Sequence, residues 1–412
     1  MNQPFTLPDG FLWGASTAAH QTEGGNTNSD WWGFEHSGLT QIISEPSGDT
    51  CDSYHRWRED MDLLAGLGFT DYRFSVEWAR IEPAPGEFSR AALDHYRRMV
   101  EGARERGLRP MVTLHHFTNP LWFAQRGGWT ADGAVELFVR YAEAVVQALG
   151  DGVDHLCTIN EPNMLAAMAS VRNALMSGAL GSDAGVVPQA GMLLPDEATT
   201  EALIRAHRAV VDAIKAIVPR LSTGWSIASH VCHPLPGAES VAEEFRRPRE
   251  DVFLEAARTD DWLGVQAYSR HLIGPDGPLP VPDDAERTLT GWEFYPAALG
   301  DALRQTAAAI PGVPLIVTEN GIATDDDSRR IAYTTEALAG MAEAMADGVD
   351  VRGYFHWTAL DNYEWGSFAP TFGLIAVDRK TFARTPKQSA AWLGAIGRDR
   401  VLSRPLPSPL GA

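Results

Sequence analysis

The sequence predicts an α/β fold, a single (β/α)8 TIM barrel with long βα loops that carry the functional site. Short β-rich runs alternate with amphipathic helical stretches, which is the pattern of a parallel sheet with helical crossovers. Eight such units occupy the 412 residues, which suits one closed barrel. No proline-, glycine- or serine-rich linker and no break in composition divides the chain. We therefore expect residues 1–412 to form a single domain.

Eight runs that end in polar or aromatic residues are the predicted strands: 11–16, 72–76, 110–115, 156–159, 223–228, 263–268, 315–318 and 353–357. Between them, apolar residues recur at three- and four-residue spacing and predict helical stretches over 92–105, 134–149, 200–218, 241–257, 296–310 and 331–345. Long interruptions, rich in Gly, Pro and Trp, cover 23–54, 161–194, 269–291 and 361–386. All four follow strands, where a barrel carries its site.

Composition limits the partners of the protein. A hydrophobic fraction of 44% and a charged fraction of 21% are typical of a globular chain with a sizeable core. The formal net charge is −20. Nucleic acid, anionic membranes and polyanionic substrates need basic patches, so this charge argues against all three. A neutral small-molecule substrate fits best, and the oligomeric state stays open.

Cysteine usage and the N-terminus bear on the compartment. Cys51, Cys157 and Cys232 are widely spaced and odd in number, which indicates neither a disulfide framework nor a zinc ribbon. The N-terminus shows no basic stretch followed by an apolar run, and no apolar run reaches the roughly 20 residues of a membrane span. We expect a cytoplasmic protein.

Two glutamates at strand ends are the main candidates for chemistry. Glu161 lies in TINEP (158–162) and Glu319 in VTENG (317–321), each beside an asparagine and each after an apolar run. A lone glutamate is usually a solvated surface charge. Two carboxylates from separate barrel strands are instead the equipment for cleaving glycosidic bonds, about 5 to 5.5 Å apart in a retaining enzyme.

Further motifs carry a family resemblance. They are FLWGASTAAHQTEG (11–24), YRFS (72–75), TLHHF (113–117), GGW (127–129), GWE (291–293) and the segment from Trp357 through LDNYEW (360–365) to FG (372–373). With both glutamate strings in order among them, the chain resembles the retaining β-glycosidases of glycoside hydrolase family 1 from about Phe5 to about Trp392. The resemblance implies a barrel enzyme without metal or organic cofactor. It would hydrolyse terminal β-linked sugars, first of all β-glucosides and also β-fucosides or β-galactosides, from oligosaccharides or apolar glycosides.

The resemblance also implies residue roles. It makes Glu319 the nucleophile, with Arg73 and Tyr268 keeping it ionised and oriented, and Glu161 the acid/base. A carboxylate near ionised Glu319 would raise the pKa of Glu161 and keep its proton available. The implied sugar-binding residues are Gln21, His116, Asn160, Trp292, Trp357, Glu364 and Trp365.

Some positions matter for specificity. His115 and His116 alternate along a strand, so only one can face the barrel interior, and the resemblance selects His116. Gln266-Ala267 stand where the family has Asn-Tyr, ahead of the retained Tyr268. The loop 365–372, at the C6 end of the sugar, is one residue short. Methionines after Asn163 indicate an adaptable, apolar aglycone side.

Three alternatives stay open. A transglycosidase would transfer the sugar to an acceptor alcohol in place of water. A phospho-β-glycosidase would replace Glu364-Trp365 and add a lysine nearby, whereas no lysine occurs between Gly353 and Arg379. A non-catalytic glycan-binding barrel would have lost a catalytic glutamate, and both are present. Product analysis with a glycoside donor, with and without added alcohols, separates a non-catalytic barrel, a hydrolase and a transglycosidase by giving no turnover, free sugar or a new glycoside. A 6-phosphoglucoside tests the phospho-β-glycosidase.

Overall fold

The predicted barrel is confirmed by the computed structural model, which describes residues 5–38, 43–176 and 193–402. Its strands are β1 (Leu12–Ser16), β2 (Asp71–Ser75), β3 (Arg109–His115), β4 (His155–Asn160), β5 (Ser222–Ala228), β6 (Trp262–Gln266), β7 (Leu315–Glu319) and β8 (Val351–Trp357). They are parallel and pair in chain order, and β8 pairs with β1 to close the barrel, Tyr354 opposite Trp13. Each predicted strand overlaps the observed one, because the apolar runs are local signals that buried parallel strands require.

Helices cover the outside of the barrel. In chain order they are α1 (Ser53–Leu67), α2 (Arg90–Glu105), α3 (Ala134–Leu149), α4 (Pro162–Met176), α5 (Glu197–Ile217), α6 (Glu239–Arg246), α7 (Val252–Ala256), α8 (Ala298–Ala309), α9 (Asp327–Ala346) and α10 (Gln388–Asp399). Short helices lie at Ala19–Thr22, Asp30–Glu35, Trp78–Ile81 and Leu121–Gln125, with 3₁₀ turns at Gly128–Thr130 and Gly150–Gly152.

Small sheets decorate the loops. Phe5–Thr6 pairs with Val401–Leu402, and Ile375–Val377 pairs with Arg384–Pro386. A three-stranded sheet joins Gly277–Pro278, Arg270–Gly274 and Val231–Pro234. The predicted interruption 269–291 is therefore partly strand. This small sheet also links the loop after β5 to the loop after β6.

Two further predictions were wrong in part. The predicted loop 161–194 begins as α4, because Pro162 suits the first helical position and good helix formers follow it; residues 177–192 lie outside the described residues. The predicted helix 241–257 is broken into α6, a π-helical turn at Arg247–Asp251 and α7. Pro248 has no N–H to donate and interrupts the helical ladder there.

The barrel interior is filled at its base. Buried side chains from six different strands contact one another there: Leu12, Met111, Cys157, Trp262, Ile316 and Phe355. A larger apolar core lies between the strands and the outer helices. The packed base of the barrel therefore supports the polar side chains at the carboxyl ends of the strands.

Register irregularities occur on both strands that lead to the candidate glutamates. Between β4 and β5 the pairing shifts between Cys157 and Asn160, and between β7 and β6 it shifts between Val317 and Glu319. An extra residue in one strand re-aims the side chains that follow it. These bulges determine which side chain faces the barrel axis just before each glutamate.

Candidate active site

A cavity of about 920 Å³ opens at the carboxyl ends of the barrel strands. Nine of the predicted site residues line it: Gln21, His116, Glu161, Tyr268, Trp292, Glu319, Trp357, Glu364 and Trp365. The structure does not bring Arg73 and Asn160 onto its wall; both are fully buried beneath it. His115 does not line the cavity either, and its Nε2 pairs with Oδ1 of Asn119 at 3.0 Å.

Glu319 ends β7 and is held by two donors. Nη1 of Arg73 donates to its Oε1 at 2.7 Å, and the hydroxyl of Tyr268 donates to its Oε2 at 2.7 Å. Burial raises the pKa of Glu319, while the Arg73 charge and the Tyr268 hydrogen bond act in the opposite direction. Both oxygens are fixed, so the carboxylate has one orientation.

A buried polar layer fixes Arg73 in turn. Oδ1 of Asn160 accepts hydrogen bonds from Nη2 of Arg73 and from Nε2 of Gln266, the latter at 2.9 Å. Nδ2 of Asn160 lies 3.5 Å from Nε2 of His116. Gln266, which replaces the usual family residue, thus supports the layer through Asn160. This contact was not predicted, because the sequence does not show which strand faces Asn160 after the bulge.

Glu161 stands at the junction of β4 and α4 with a φ of +45°. Its N–H donates to the carbonyl oxygen of Ser226 at 2.8 Å, and its own carbonyl oxygen accepts from the N–H of Met164 at 3.0 Å. Within the described residues its carboxyl group has no hydrogen-bond or ion-pair partner. Burial, and then the charge of Glu319, raise the pKa of Glu161 well above its usual range.

The two glutamates therefore differ in how their negative charge is stabilised. Glu319 has a guanidinium and a phenol to stabilise its charge, and Glu161 has neither. When two carboxyls share a site, the one without partners keeps its proton longer. The arrangement can present a carboxylate and a carboxylic acid to the same ligand.

The other end of the cavity offers hydrogen-bonding groups. Nε2 of Gln21 donates to Oε2 of Glu364 at 3.2 Å, and Nε1 of Trp357 donates to Oε1 of Glu364 at 3.3 Å. Oε1 of Gln21 and Nδ1 of His116 are buried without a hydrogen-bond partner among the described residues. Buried polar atoms are seldom left unpaired, so a ligand rich in hydroxyl groups suits this end.

Four rings form a nearly parallel row along one wall. His116 stacks with Trp357 at 5.7 Å and 9°, and with Trp365 at 6.2 Å and 10°. Trp365 stacks with His20 at 5.8 Å and 4°. Trp365 has a φ of +50°, a conformation that tryptophan rarely adopts. Its indole ring contacts the rings of His116 and His20, and these contacts hold the orientation of the indole plane.

His20 was not predicted as a site residue. Its Nε2 lies 3.1 Å from Oε1 of Glu35, and its Nδ1 lies 3.0 Å from Nδ2 of Asn26. Glu35 also accepts from the hydroxyl of Ser47 at 2.7 Å. Glu35 and Asn26 hold the ring of His20, and His20 in turn stacks on the indole of Trp365. In the sequence, the only indication of this role is that His20 precedes Gln21. The partners of His20 lie in an irregular loop, which has no recognisable pattern.

Three of the seven non-glycine residues that have a positive φ in the described chain lie at the cavity. Phe117, Glu161 and Trp365 all line it and have φ values of +70°, +45° and +50°. Non-glycine residues in this region cost of order 1–3 kcal/mol each and persist where the surrounding structure imposes them. The surrounding structure therefore holds the backbone at these three cavity positions in a conformation that it would not adopt by itself.

The described residues contain neither a metal-binding cluster nor a membrane-spanning helix. Over residues 5–38, 43–176 and 193–402, no group of three or more His, Cys, Asp or Glu side chains is placed to hold a metal ion. The described helices include none with the length and apolar character to cross a bilayer.

A closed barrel with a pair of carboxylates at the carboxyl ends of its strands is the arrangement of a glycoside hydrolase. The chain belongs to glycosyl hydrolase family 1, whose sequence model matches residues 3–262 and 276–400.

Similar proteins with named activities support this family assignment. Thermostable beta-glucosidase B of Thermobispora bispora is 34% identical, over 95% of this chain and 91% of that protein. A bifunctional beta-D-glucosidase/beta-D-fucosidase of Bifidobacterium breve is 29% identical, over 94% of this chain and 97% of that one. The crystal structure of beta-glycosidase BGL167 is 46% identical, with a TM-score of 0.85 over 98% of this chain and 99% of that one. These likenesses favour none of the three alternatives.

Proposed function

We propose that this β-glycosidase uses Glu319 as its nucleophile and Glu161 as its acid/base, on β-glucosides and β-fucosides with an apolar aglycone. The observation that carries the proposal is the contrast between the two carboxyls. Glu319 is held by Arg73 and Tyr268 at 2.7 Å each, and burial raises the pKa of Glu161, which has no such partners.

The reaction takes two steps at these groups. Glu319 attacks the anomeric carbon, the bond to the aglycone oxygen breaks, and that oxygen takes the proton of Glu161. The ester with the sugar removes the charge of Glu319, so the pKa of Glu161 falls. Glu161 then takes a proton from water, the water oxygen attacks the anomeric carbon, and Glu319 leaves. Two inversions return the β-anomer.

The stereochemistry tests this scheme directly. An aryl β-glucoside hydrolysed in an NMR tube should release β-glucose first, with the α-anomer appearing only at the rate of mutarotation. Early accumulation of α-glucose would contradict a covalent intermediate on Glu319.

Sugar recognition falls to the groups around Gln21 and Glu364. We assign hydroxyl contacts to Gln21, His116 and Glu364, and ring contacts to Trp292, Trp357 and Trp365. Asn160 acts on the sugar through His116, because its Oδ1 is taken by Arg73 and Gln266 and its Nδ2 lies 3.5 Å from Nε2 of His116. The unpaired Oε1 of Gln21 and Nδ1 of His116 support hydroxyl binding here.

We expect β-fucosides, which lack the 6-hydroxyl, to be cleaved within about tenfold of β-glucosides, a gap of ~1.4 kcal/mol. Of loop 365–372, the residues on the cavity wall are Trp365, Pro370 and Phe372, which present mostly apolar surface. Such a wall holds a 6-hydroxyl weakly. The bifunctional activity named for the Bifidobacterium breve relative supports the same expectation. The measurement is kcat/KM for the two 4-nitrophenyl glycosides.

A 4-deoxyglucoside serves as the matched control for that prediction. Loss of a hydroxyl that Gln21 and Glu364 bind leaves buried polar atoms unpaired and should cost roughly 1 to 3 kcal/mol per lost bond. Because a fucoside also differs from a glucoside in the configuration at C4, a fucoside deficit beyond a thousandfold would show that the 6-hydroxyl is tightly held only if the 6-deoxyglucoside has the same deficit.

A second prediction concerns the protonation of Glu161. In Glu319→Gln the like charge disappears, so the pKa of Glu161 should fall relative to the wild-type enzyme. It should stay above its usual range, because burial is the larger cause of the upward shift. Titration by ¹³C NMR of labelled glutamate carboxyls, assigned with Glu161→Gln, measures both enzymes. An unchanged pKa would mean that the two carboxyls do not interact.

We also propose that residues 1–412 act as one catalytic domain and that the protein works in the cytoplasm. The three free, buried cysteines of the described chain support a reducing compartment. Fractionation of native cells with an antibody to the protein tests the location.

A further inference from the structure

Beyond the sugar end, the cavity continues between two walls. One wall is formed by α4, and its apolar part, here called the aglycone wall, consists of Met164, Leu165, Met168 and Ala169. Val171 and the charged Arg172 of the same helix also line the cavity. The four residues of the aglycone wall follow Glu161 at helical spacing of three, four, seven and eight positions. At 1.5 Å per residue, Met168 lies about 10 Å along the helix from Glu161. The apolar surface therefore starts beside the scissile bond and extends outward.

The facing wall carries two histidines, His230 and His271, which both line the cavity. The parallel pairing of Val231–Pro234 with Arg270–Gly274 brings them together. Nδ1 of His230 lies 3.4 Å from Nε2 of His271, and the rings stack at 5.3 Å and 29°. Among the described residues, no protein group pairs with Nε2 of His230 or Nδ1 of His271.

This wall is electrically neutral. Burial lowers the pKa of His230 to about 3 and that of His271 to about 4, with the nearby Arg249 charge acting in the same direction. Arg270, next to His271, is neutralised by two hydrogen bonds to Glu293, at 2.9 and 2.7 Å. At neutral pH the wall presents no net charge to a ligand.

A pair of neutral imidazoles can either donate a hydrogen bond to a hydroxyl group or accept one from it. One ring nitrogen donates to the other across the pair, which leaves one outer nitrogen with a proton and the other with a lone pair. Reversal of the shared hydrogen bond exchanges those two roles. The opposing methionines favour aromatic rings, through contacts between sulfur and the ring edge.

On the basis of the proposed function, we propose that the His230–His271 pair selects aryl aglycones that carry a hydroxyl group, with the aromatic part against the aglycone wall. The two histidines are specificity-determining residues for the leaving group. They take no part in binding the sugar or in the bond-breaking step.

Matched glucosides test this. The first pair is 4-hydroxyphenyl and 4-methylphenyl β-glucoside, and the second is the corresponding pair of 4′-substituted biphenyl-4-yl glucosides, which reach further along the wall. Within each pair the leaving phenols are similar in acidity and size. The wild-type enzyme should prefer the hydroxyl member by about fivefold or more in kcat/KM at one of the two lengths, as a hydrogen bond predicts. A wild-type ratio within twofold of one at both lengths overturns the inference.

Variants locate the effect. The ratio should fall to about one in His230→Phe and in His271→Phe, and part of it should survive in His271→Gln, whose amide retains a polar group near Nε2. His233→Phe, on the small strand that directly follows His230 but outside the cavity, should keep the wild-type ratio. A ratio does not depend on the fraction of active enzyme, so partial misfolding leaves the test intact. An undiminished ratio in both phenylalanine variants overturns the assignment.

A substrate without an aryl aglycone separates this inference from the proposed function. β-Glucosyl fluoride uses only the sugar end and the two glutamates. Failure of the wild-type enzyme to hydrolyse it contradicts the proposed function, whereas hydrolysis of the fluoride without hydroxyaryl preference contradicts only the role of the histidines.

Discussion

Replacing Glu319 by Ala should lower kcat for an aryl β-glucoside by about 10⁴-fold or more, as removal of a nucleophile does in other enzymes that form covalent intermediates. The carboxylate that Arg73 and Tyr268 hold at 2.7 Å would be gone, and no glycosyl ester could form. Initial rates with 4-nitrophenyl β-glucoside, at substrate concentrations that separate kcat from KM, measure the effect.

Small anions provide the diagnostic for Glu319→Ala. Formate or azide can enter the space of the lost side chain and attack the anomeric carbon, so added anion should restore part of the activity with an α-configured product. Glu77→Gln is a suitable control, because Glu77 is equally buried but does not line the cavity. Near-wild-type turnover by Glu319→Ala would exclude its role as the nucleophile.

Replacing Glu161 by Ala should discriminate between leaving groups. General acid catalysis contributes about 10²- to 10⁴-fold, so kcat/KM for an alkyl β-glucoside should fall by that factor. For a 2,4-dinitrophenyl glucoside, whose leaving group needs no proton, we expect a fall of less than about tenfold. Both values report the glycosylation step, and single-turnover measurements confirm which step is observed.

Azide tests the second half-reaction in the Glu161→Ala variant. With no carboxylate to activate water, the glycosyl ester accumulates, and azide should capture it as the β-glycosyl azide. Among the described residues, the carboxyl group of Glu161 has no hydrogen-bond or ion-pair partner. Equal losses for alkyl and dinitrophenyl substrates would falsify the acid/base assignment.

Local patterns in the sequence predict much of the fold. Buried parallel strands need unbroken apolar runs and crossover helices need one apolar face, so both leave short-range signals. The positions of Glu161 and Glu319 follow in the same way, because each terminates such a run. Closure of the barrel also follows, from the number of units and the absence of a linker.

Other features depend on register and on distant partners. Asn160 lies beneath the cavity because a bulge in β4 changes the direction of its side chain, and nothing in the string TINEP marks that bulge. His230 and His271 meet through a small sheet between two loops, 41 positions apart in the chain. Pairs of this kind leave no periodic signal. They are set by tertiary contacts that a single sequence does not display.

The Gln21–Glu364 contact spans 343 positions in the chain and crosses the seam where β8 meets β1. A sugar that binds both residues bridges the first and last strands of the barrel. Catalytic activity is therefore a reporter of seam closure: it should be recovered late in refolding, after the strands have paired, and lost early when the seam opens. A tightly bound sugar analogue should slow that opening, because it binds only the closed form.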